Sequence, residues 1–236
     1  MGGVAEGASR YHVAVLSALQ ERVARVVVSL PEADGFALAG GAALVASGVV
    51  DRSTRDLDFF GASGNDVDRL RPAVERALIA AGLEVSRERE TYGFVRLIVT
   101  DGDDSTEVDL AADARIRPAE SGPLGPMLSL EELAADKLLA LFDRAQARDF
   151  LDVRALIGRF GLERMCQLAS EKDRGFSRAV LVEMLGSFDR FTADELGIDE
   201  PDRRSLAGSV QRWREALTRP SPRSIDPSDR GPDLSL

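Results

Sequence analysis

Apolar residues along this chain follow two different spacings, which predict strands mainly in the first half and helices elsewhere. Runs of strand composition occupy residues 36–39, 56–60, 83–89, 92–100 and 105–111. Helical spacing is found over 9–30, over 65–81, from Ser129, from Ala147 and across 161–218. We expect Pro31 to end the first helix and Asn65 to cap the second. Ser129 and Glu132 have the spacing of a capping box.

Turn and loop residues arrange these elements into an α+β protein. The sequence Asp-Gly-Asp-Asp at 101–104 is typical of a hairpin between two strands. Residues 115–127 are rich in proline and glycine, and are expected to form a loop at a domain boundary. We therefore predict a core with an N-terminal helix and a mixed sheet over 1–122, followed by a helical domain in which residues 161–218 add two or three further helices. That domain spans 123–218 and completes a cleft, and a disordered tail follows over 219–236.

Two carboxylates share one face of the strand at 56–60. Side chains alternate across a strand, so Asp56 and Asp58 point to one face. Leu57 and Phe59 point to the other. The two aspartate Cα atoms are expected roughly 6.6 Å apart, a separation from which both side chains reach one hard cation. Because like charges on an apolar strand repel each other, this pattern predicts a cation between them.

A pair of glycines, Gly40 and Gly41, follows the first strand. Glycine lets the backbone approach a phosphate closely, and a helix from Ala42 to about Gly48 would point its free N–H groups at the same place. The alternative is a simple tight turn. Together with the acidic pair one strand later, the glycines predict a site for a triphosphate and a divalent ion.

A third carboxylate, Asp109, lies on the strand at 105–111, where it shares a face with Glu107. Both residues could instead line the solvated face of an edge strand. Nucleotidyl transfer commonly uses two carboxylates on one strand and a third on its neighbour. On that basis we predict that Asp56, Asp58 and Asp109 bind Mg²⁺, as two ions.

Lys137 interrupts the apolar face of the helix that begins after Ser129. The chain uses arginine almost everywhere else, so a lysine here suggests a need for a compact ammonium group. The alternative is an ordinary surface lysine paired with Asp136 or Glu132.

Two further aspartates, Asp149 and Asp152, share a stripe with core residues on the helix from Ala147. Amphipathic helices normally place acids on the opposite side. One of the two is expected to orient Lys137 or the incoming hydroxyl, and the choice between them is open. Arg148 and Asp152 could also form a simple ion pair one turn apart.

Composition narrows the classes of function. The 236 residues carry a formal net charge of −10, which argues against whole-surface binding to nucleic acid or to an anionic membrane and leaves a local basic groove as the alternative. A single cysteine and the lack of a long apolar segment predict a soluble cytoplasmic protein with no membrane partner. Most of the acidic excess lies in residues 1–122, so we expect RNA to contact the helical part. The one histidine, His12, is assigned no role.

The motifs together resemble the AbiEii/AbiGii type of nucleotidyltransferase toxin, which includes the MenT-type enzymes. The resemblance covers about residues 35 to 160. The matching segments read AGGAAL at 39–44, RSTRDLDFF at 52–60, DKLLAL at 136–141 and ARDFLDV at 147–153, with Asp109 as a third strand aspartate. One departure stands out, because Ala42 occupies a position where the family usually has serine or threonine after the glycines.

This resemblance implies an activity and roles for several residues. Asp56 and Asp58 would hold Mg²⁺, Lys137 would contact the nucleotide phosphates, and an aspartate between Arg148 and Asp152 would also be needed. Thr54 keeps a hydroxyl that the family often has near the metal pair. Related toxins add nucleotides, often pyrimidines, to the 3′ end of tRNA and are paired with a separate antitoxin.

We therefore expect a toxin that transfers NMP from an NTP to tRNA, with Gly40, Gly41, Thr54, Lys137 and Arg148 at the nucleotide. Two alternatives stay open. The same metal chemistry could modify a small molecule such as an antibiotic. The chain could also be a nucleotide-binding partner protein without turnover, an alternative that the missing hydroxyl at Ala42 supports.

Overall fold

The computed structural model describes residues 16–219, which contain seven strands and nine α-helices. The strands are β1 (Ala37–Ala39), β2 (Asp56–Gly61), β3 (Glu84–Thr91), β4 (Phe94–Asp101), β5 (Asp104–Ala112), β6 (Glu120–Gly122) and β7 (Gly125–Met127). The helices are α1 (Ala18–Val28), α2 (Gly40–Ala46), α3 (Gly64–Ala80), α4 (Leu130–Asp143), α5 (Ala147–Phe160), α6 (Leu162–Lys172), α7 (Arg178–Gly186), α8 (Ala193–Leu196) and α9 (Glu200–Thr218). The start of the helix predicted over 9–30, His12 and the tail from residue 220 lie outside the described residues.

The seven strands form one mixed sheet in the order β3-β4-β5-β2-β1-β7-β6. β2 runs parallel to β5 and β1 runs parallel to β7, while the remaining neighbours are antiparallel. The predicted hairpin at 101–104 is confirmed, since Asp101 pairs with Asp104. The prediction of a mixed sheet flanked by helices and followed by further helices is therefore confirmed.

The alternation of side chains gives the sheet an apolar face and a polar face. Leu57, Phe59, Val108 and Leu110 are at most 1% exposed, and α1 and α3 cover this face. Burying such side chains contributes roughly 1.5 to 3 kcal/mol each. The opposite face carries the acidic residues of β2 and β5 and looks toward the helices that follow the sheet.

Two predictions about element boundaries are wrong. Residues 115–127 are not simply a loop, because β6 and β7 form a hairpin there, and Leu38 of β1 pairs with Met127 of β7. Each strand is three residues long and β7 pairs with β1 at Met127, so the proline and glycines here cost few ladder hydrogen bonds. The cap of α3 is Ser63 rather than Asn65, because the Ser63 hydroxyl accepts the hydrogen bond from the Asp66 N–H.

The chain from Leu162 to Thr218 forms four α-helices, where two or three were expected. The extra boundary arises around Gly197, whose left-handed backbone ends α8, while Asp199 caps α9. In the described part of the chain, no helix has the length and apolar character needed to cross a bilayer. The domain division near residue 122 stays a prediction, and the β6 and β7 hairpin spans it.

A buried ion cluster joins the first helices after the sheet to the end of β5. The Lys172 ammonium, on α6, contacts carboxylates of Asp113, Glu132 and Asp136. Glu132 is fully buried and also accepts hydrogen bonds from the Ile116 and Arg117 N–H groups at 3.0 and 2.8 Å. The Glu132 side chain therefore belongs to this cluster and does not complete the predicted capping box. Ser129 alone caps α4. This cluster fixes α4 and α6 relative to the sheet.

Removing the cation from this cluster should be strongly destabilising. Lys172→Met leaves buried carboxylates without a counter-charge, so we expect the free energy of unfolding to fall by about 3 to 5 kcal/mol at neutral pH. The loss should be smaller at about pH 5, because protonation removes the unpaired negative charges. Urea unfolding measures both values. The exposed Arg159→Met serves as the control, and an equal loss in the two variants would contradict this role of Lys172.

Candidate active site

A cavity of about 730 Å³ lies between the polar face of the sheet and the helices that follow it. Its lining includes seven of the residues that the sequence predicts, namely Gly40, Gly41, Asp56, Asp58, Asp109, Lys137 and Arg148. A volume of this size is ordinary for a small-molecule site. The predicted residues, which are up to about a hundred positions apart in sequence, are thus brought to one place.

Strand register places the carboxylates in rows across the sheet. Ala39 of β1 lies beside Asp58 of β2, which lies beside Asp109 of β5, and Asp109 lies beside Arg96 of β4. Asp56 and Glu107 form the next row. Residues directly opposite each other in a sheet point to the same face, so Asp58, Asp109 and Arg96 all face the cavity.

The first glycine is needed for contact with Asp58. α2 begins at Gly40, two residues earlier than predicted, and the φ angle of Gly40 is +59°. A Cβ at this position would lie 1.7 Å from the Asp58 Oδ2 atom. Gly40 therefore lets the backbone pass directly against the carboxylate. A Cβ at Gly41 would lie 2.9 Å from the Thr54 hydroxyl, so this glycine makes room for the segment before β2.

Asp56 is held by two neighbours. The Thr54 hydroxyl donates a hydrogen bond to Asp56 Oδ1 at 2.5 Å, and Arg148 Nη1 lies 3.4 Å from Oδ2. Burial works to raise the pKa of Asp56, but the Thr54 hydrogen bond and the Arg148 charge outweigh it and leave the pKa below its usual value. Asp56 is therefore ionised at neutral pH. Arg148 pairs with Asp56, and not with Asp152 as the helical alternative supposed.

Asp58 is in the opposite situation. Within residues 16–219, no hydrogen bond or ion pair to its side chain is formed. Burial and the neighbouring Asp56 charge raise its pKa to about 7, although Lys137 and Arg96 oppose that rise. A partly buried carboxylate without a partner, beside a second carboxylate, is a donor set that suits a hard divalent cation. The residues present thus fit a magnesium ion at Asp56 and Asp58.

Lys137 lies deep in the cavity wall, with 9% of its side chain exposed. Its ammonium is 3.0 Å from Asp152 Oδ2, and Asp152 is fully buried. Arg52 binds the same carboxylate through Nε at 2.9 Å and Nη2 at 2.8 Å. The alternative of a surface lysine paired with Asp136 or Glu132 does not describe this geometry, because those two acids contact Lys172.

Asp149 and Asp152 have different neighbours, which separates the two candidates. Asp149 accepts hydrogen bonds from Arg144 at 3.2 and 3.3 Å and from the Gln146 N–H at 3.0 Å, so it stabilises the start of α5. Asp152 alone of the two contacts Lys137. This geometry favours Asp152 as the residue that orients Lys137, and the catalytic role of either stays a prediction.

Asp109 is largely buried and both of its oxygens are taken by Arg96. Arg96 Nε donates to Oδ1 and Nη2 donates to Oδ2, each at 2.7 Å. Arg96 Nη1 lies 3.0 Å from Glu107 Oε2. The predicted role of Asp109 as a metal ligand stays a prediction. The sequence did not lead us to Arg96 or Arg52. Arg96 could have been found, because an arginine inside the apolar run of β4 is unusual.

A second group of acids, Asp113, Glu132 and Asp136, also lies within reach of one ion, since their ligand oxygens are within 4.8 Å of one another. Lys172 already contacts all three, and these acids raise the pKa of Lys172 against the effect of burial. The cation of this cluster is therefore the lysine. Among the described acids, Asp56 and Asp58 are the better candidates for a metal.

Comparisons with known proteins show a family and a fold. The family described as nucleotidyl transferase AbiEii toxin, Type IV TA system, matches residues 23–222. The crystal structure of JHP933 from Helicobacter pylori has a TM-score of 0.54 at 20% identity, covering 86% of this chain and 95% of that one. A candidate nucleotidyltransferase from H. pylori has a TM-score of 0.52 at 20% identity, covering 85% and 96%. No curated protein matches significantly. The likeness confirms the nucleotidyltransferase-type fold.

Metal affinity should depend on pH through Asp58. A carboxyl group with a pKa of about 7 is protonated below that pH, so an incoming ion must displace a proton. We expect Mn²⁺ affinity to fall about tenfold per pH unit below pH 7 and to level off above it. Titration calorimetry at several pH values measures this, and Asp58→Asn should abolish the binding. Equal affinity at about pH 6 and pH 8 would contradict the assignment.

Gly40→Ala tests the contact between α2 and Asp58. The new methyl group overlaps Asp58 Oδ2 and forces a left-handed backbone on alanine, so Asp58 must move. We expect Mn²⁺ affinity to fall at least about tenfold. Gly158→Ala, in the last turn of α5 with no atom within 4 Å of the added Cβ, is the matched control. It should keep the affinity and raise the free energy of unfolding by about 0.5 to 1 kcal/mol; unchanged affinity in both variants would refute the contact.

Proposed function

The chain belongs to the AbiEii nucleotidyl transferase toxin family of type IV toxin–antitoxin systems, and on this basis we propose that it transfers NMP from an NTP to the 3′ end of tRNA. The terminal hydroxyl of the tRNA attacks the α-phosphorus and the bond between the α- and β-phosphates breaks. Pyrophosphate leaves, and the hydroxyl proton passes to water. The protein acts as a toxin in the cytoplasm, and a cognate antitoxin protein counters it.

The observation that carries this proposal is the unpartnered Asp58 beside Asp56, in the same cavity as Lys137. Asp56 and Asp58 would hold Mg²⁺, which supplies positive charge for the triphosphate and orients the reacting groups when bound. Asp56 keeps its ionised form through Thr54 and Arg148. Asp58 stays close to the start of α2 because Gly40 leaves it space.

Lys137 neutralises the phosphates of the bound NTP. Its ammonium faces the cavity while Asp152 holds it from behind at 3.0 Å. Arg52 shares the same carboxylate, so Asp152 carries two cations and the group as a whole keeps a positive charge. An ammonium fixed in this way needs little reorganisation when a triphosphate binds. Asp152 is therefore a positioning residue for Lys137.

The nucleotide lies along the wall formed by the start of α2 and the start of α5. Gly40, Gly41 and Arg148 line this wall, and Thr54 reaches it through Asp56. Arg148 has half of its side chain exposed, so its guanidinium is free to exchange Asp56 for a phosphate oxygen. Ala42 has no hydroxyl, so the contact that a serine or threonine usually makes at this position in the family is missing here.

The tRNA approaches from the helical side. Arg144 and Arg148 are both about half exposed and both line the cavity, where they offer positive charge to the phosphate backbone of the acceptor end. The apolar face of the sheet is covered by α1 and α3 and offers no route to the metal site. The acceptor end therefore enters between the sheet and the helices.

The activity is tested with each labelled NTP, Mg²⁺ and bulk tRNA. We expect label on tRNA, and a loss of at least about a hundredfold in Asp58→Ala, because a metal ligand is removed. The matched control is Asp103→Ala, an exposed aspartate of the hairpin turn, which should keep full activity. Retained activity in Asp58→Ala would refute the metal assignment.

The same experiment separates the alternatives. Label on a panel of antibiotics, with none on tRNA, would identify a small-molecule nucleotidyltransferase. Saturable NTP binding without any label transfer would identify a nucleotide-binding partner protein. Label on tRNA at its 3′ end, located by nuclease digestion, supports the proposed reaction.

A further inference from the structure

We propose that Arg96 is a built-in second cation of the active site, so that the protein uses one divalent ion and a guanidinium where a two-metal enzyme uses two ions. This inference deepens the proposed nucleotidyl transfer and rests on it. In this arrangement Asp109 is a positioning residue that holds Arg96, and Arg96 contacts the triphosphate.

The hydrogen bonds of Arg96 fix its guanidinium in one orientation. Asp109 binds it through two parallel hydrogen bonds of 2.7 Å, and Glu107 contacts Nη1 at 3.0 Å. A guanidinium has five N–H donors; three are engaged, and the two that are left, one on each terminal nitrogen, make no hydrogen bond, although Nη1 also lies 4.0 Å from Glu88 Oε2. About one third of the Arg96 side chain is exposed, and it lines the cavity. The free donors are therefore available to a ligand there.

The same contacts leave Asp109 unsuited to a divalent ion. Each of its oxygens accepts a charge-assisted hydrogen bond, and only 6% of the residue is exposed. A metal ion at Asp109 would have to displace the guanidinium and leave its charge beside a second cation. Asp56 and Asp58 then supply the protein carboxylates for one ion, with water and phosphate oxygens completing its coordination.

The position of Arg96 suits the role of a second cation. It is two strands from Asp58 in the same row of the sheet, with Asp109 between them. At about 4.8 Å per strand, the two Cα atoms are about 10 Å apart, and the arginine side chain bends back over Asp109. Its carboxylate neighbours raise the pKa of Arg96, so its charge does not depend on pH. A planar guanidinium matches two phosphate oxygens at once.

A purely structural role for Arg96 makes a different prediction. β4 and β5 already pair at eight positions, from Phe94 with Ala111 to Asp101 with Asp104, so the strands do not need this ion pair to stay together. If Arg96 only stabilised the fold, replacing it would lower the free energy of unfolding and leave the nucleotide affinity of the folded variant unaltered. A second cation would change nucleotide affinity and the number of ions bound.

The test counts Mn²⁺ ions on the full chain with a non-hydrolysable NTP analogue, by electron paramagnetic resonance and calorimetry. We expect one Mn²⁺ per wild-type chain. Arg96→Ala should bind the analogue at least about tenfold more weakly, because two charge-assisted hydrogen bonds to phosphate are lost. Arg89→Ala is the matched control, since Arg89 lies beside Arg96 in the next strand and does not line the cavity. It should bind within about twofold of wild type.

Arg96→Lys keeps the positive charge but cannot form two parallel hydrogen bonds. It still tests the proposal if the Arg96→Ala variant does not fold. It should stay folded by thermal melting, bind one Mn²⁺ and hold the analogue about threefold to tenfold more weakly. Two Mn²⁺ on the wild type, reduced to one by Asp109→Asn, would overturn the inference and leave the proposed function standing. Unchanged analogue affinity in a folded Arg96→Ala would also overturn it. No metal-dependent analogue binding by the wild type would instead refute the proposed function.

Discussion

The candidate active site depends on two carboxylates, Asp56 and Asp58, which share one face of a buried strand while only Asp56 has a protein partner. Asp56 is held by Thr54 and Arg148, while Asp58 lies against the backbone of Gly40 with its pKa raised to about 7. When both are ionised, the carboxylates of Asp56 and Asp58 repel each other. The strand stays in place because Leu57 and Phe59 are fixed in the core behind it. Core packing thus stabilises the unfavourable arrangement of charges that a cation relieves.

Three largely buried acids around the cavity, Asp109, Asp136 and Asp152, follow the opposite rule, because a cation from a different element accompanies each of them. Arg96 on β4 binds Asp109 on β5, Lys172 on α6 binds Asp136 on α4, and Arg52 and Lys137 bind Asp152 on α5. Breaking a buried pair leaves an unpaired charge, which costs more than the pair itself contributes. These pairs hold the wall of the cavity in one arrangement. The contrast with Asp58 is the reason for placing the proposed divalent ion beside it.

Local patterns were sufficient to predict most elements and the grouping of the site residues. A spacing of two put Asp56 and Asp58 on one face, and helical spacing put Lys137 on α4 and Asp152 on α5. The partners of these residues could not be predicted, because Arg52 and Asp152 are a hundred positions apart and meet only through the fold. The strands β6 and β7 were missed because their proline and glycine content is typical of loops. They form strands because β1 offers β7 an unpaired edge.

The two lysines of the chain illustrate why residue type carries information here. Lys137 and Lys172 are both largely buried, but Lys137 contacts one carboxylate, that of Asp152 on the neighbouring helix, while Lys172 contacts three. An ammonium is a compact point charge with three donors, so it can contact three carboxylates at once, as Lys172 does. A guanidinium is planar and suits one carboxylate or phosphate with two parallel bonds, as Arg96 and Arg52 show. In this arginine-rich chain, Lys172 therefore stands where one compact charge has to contact three carboxylates.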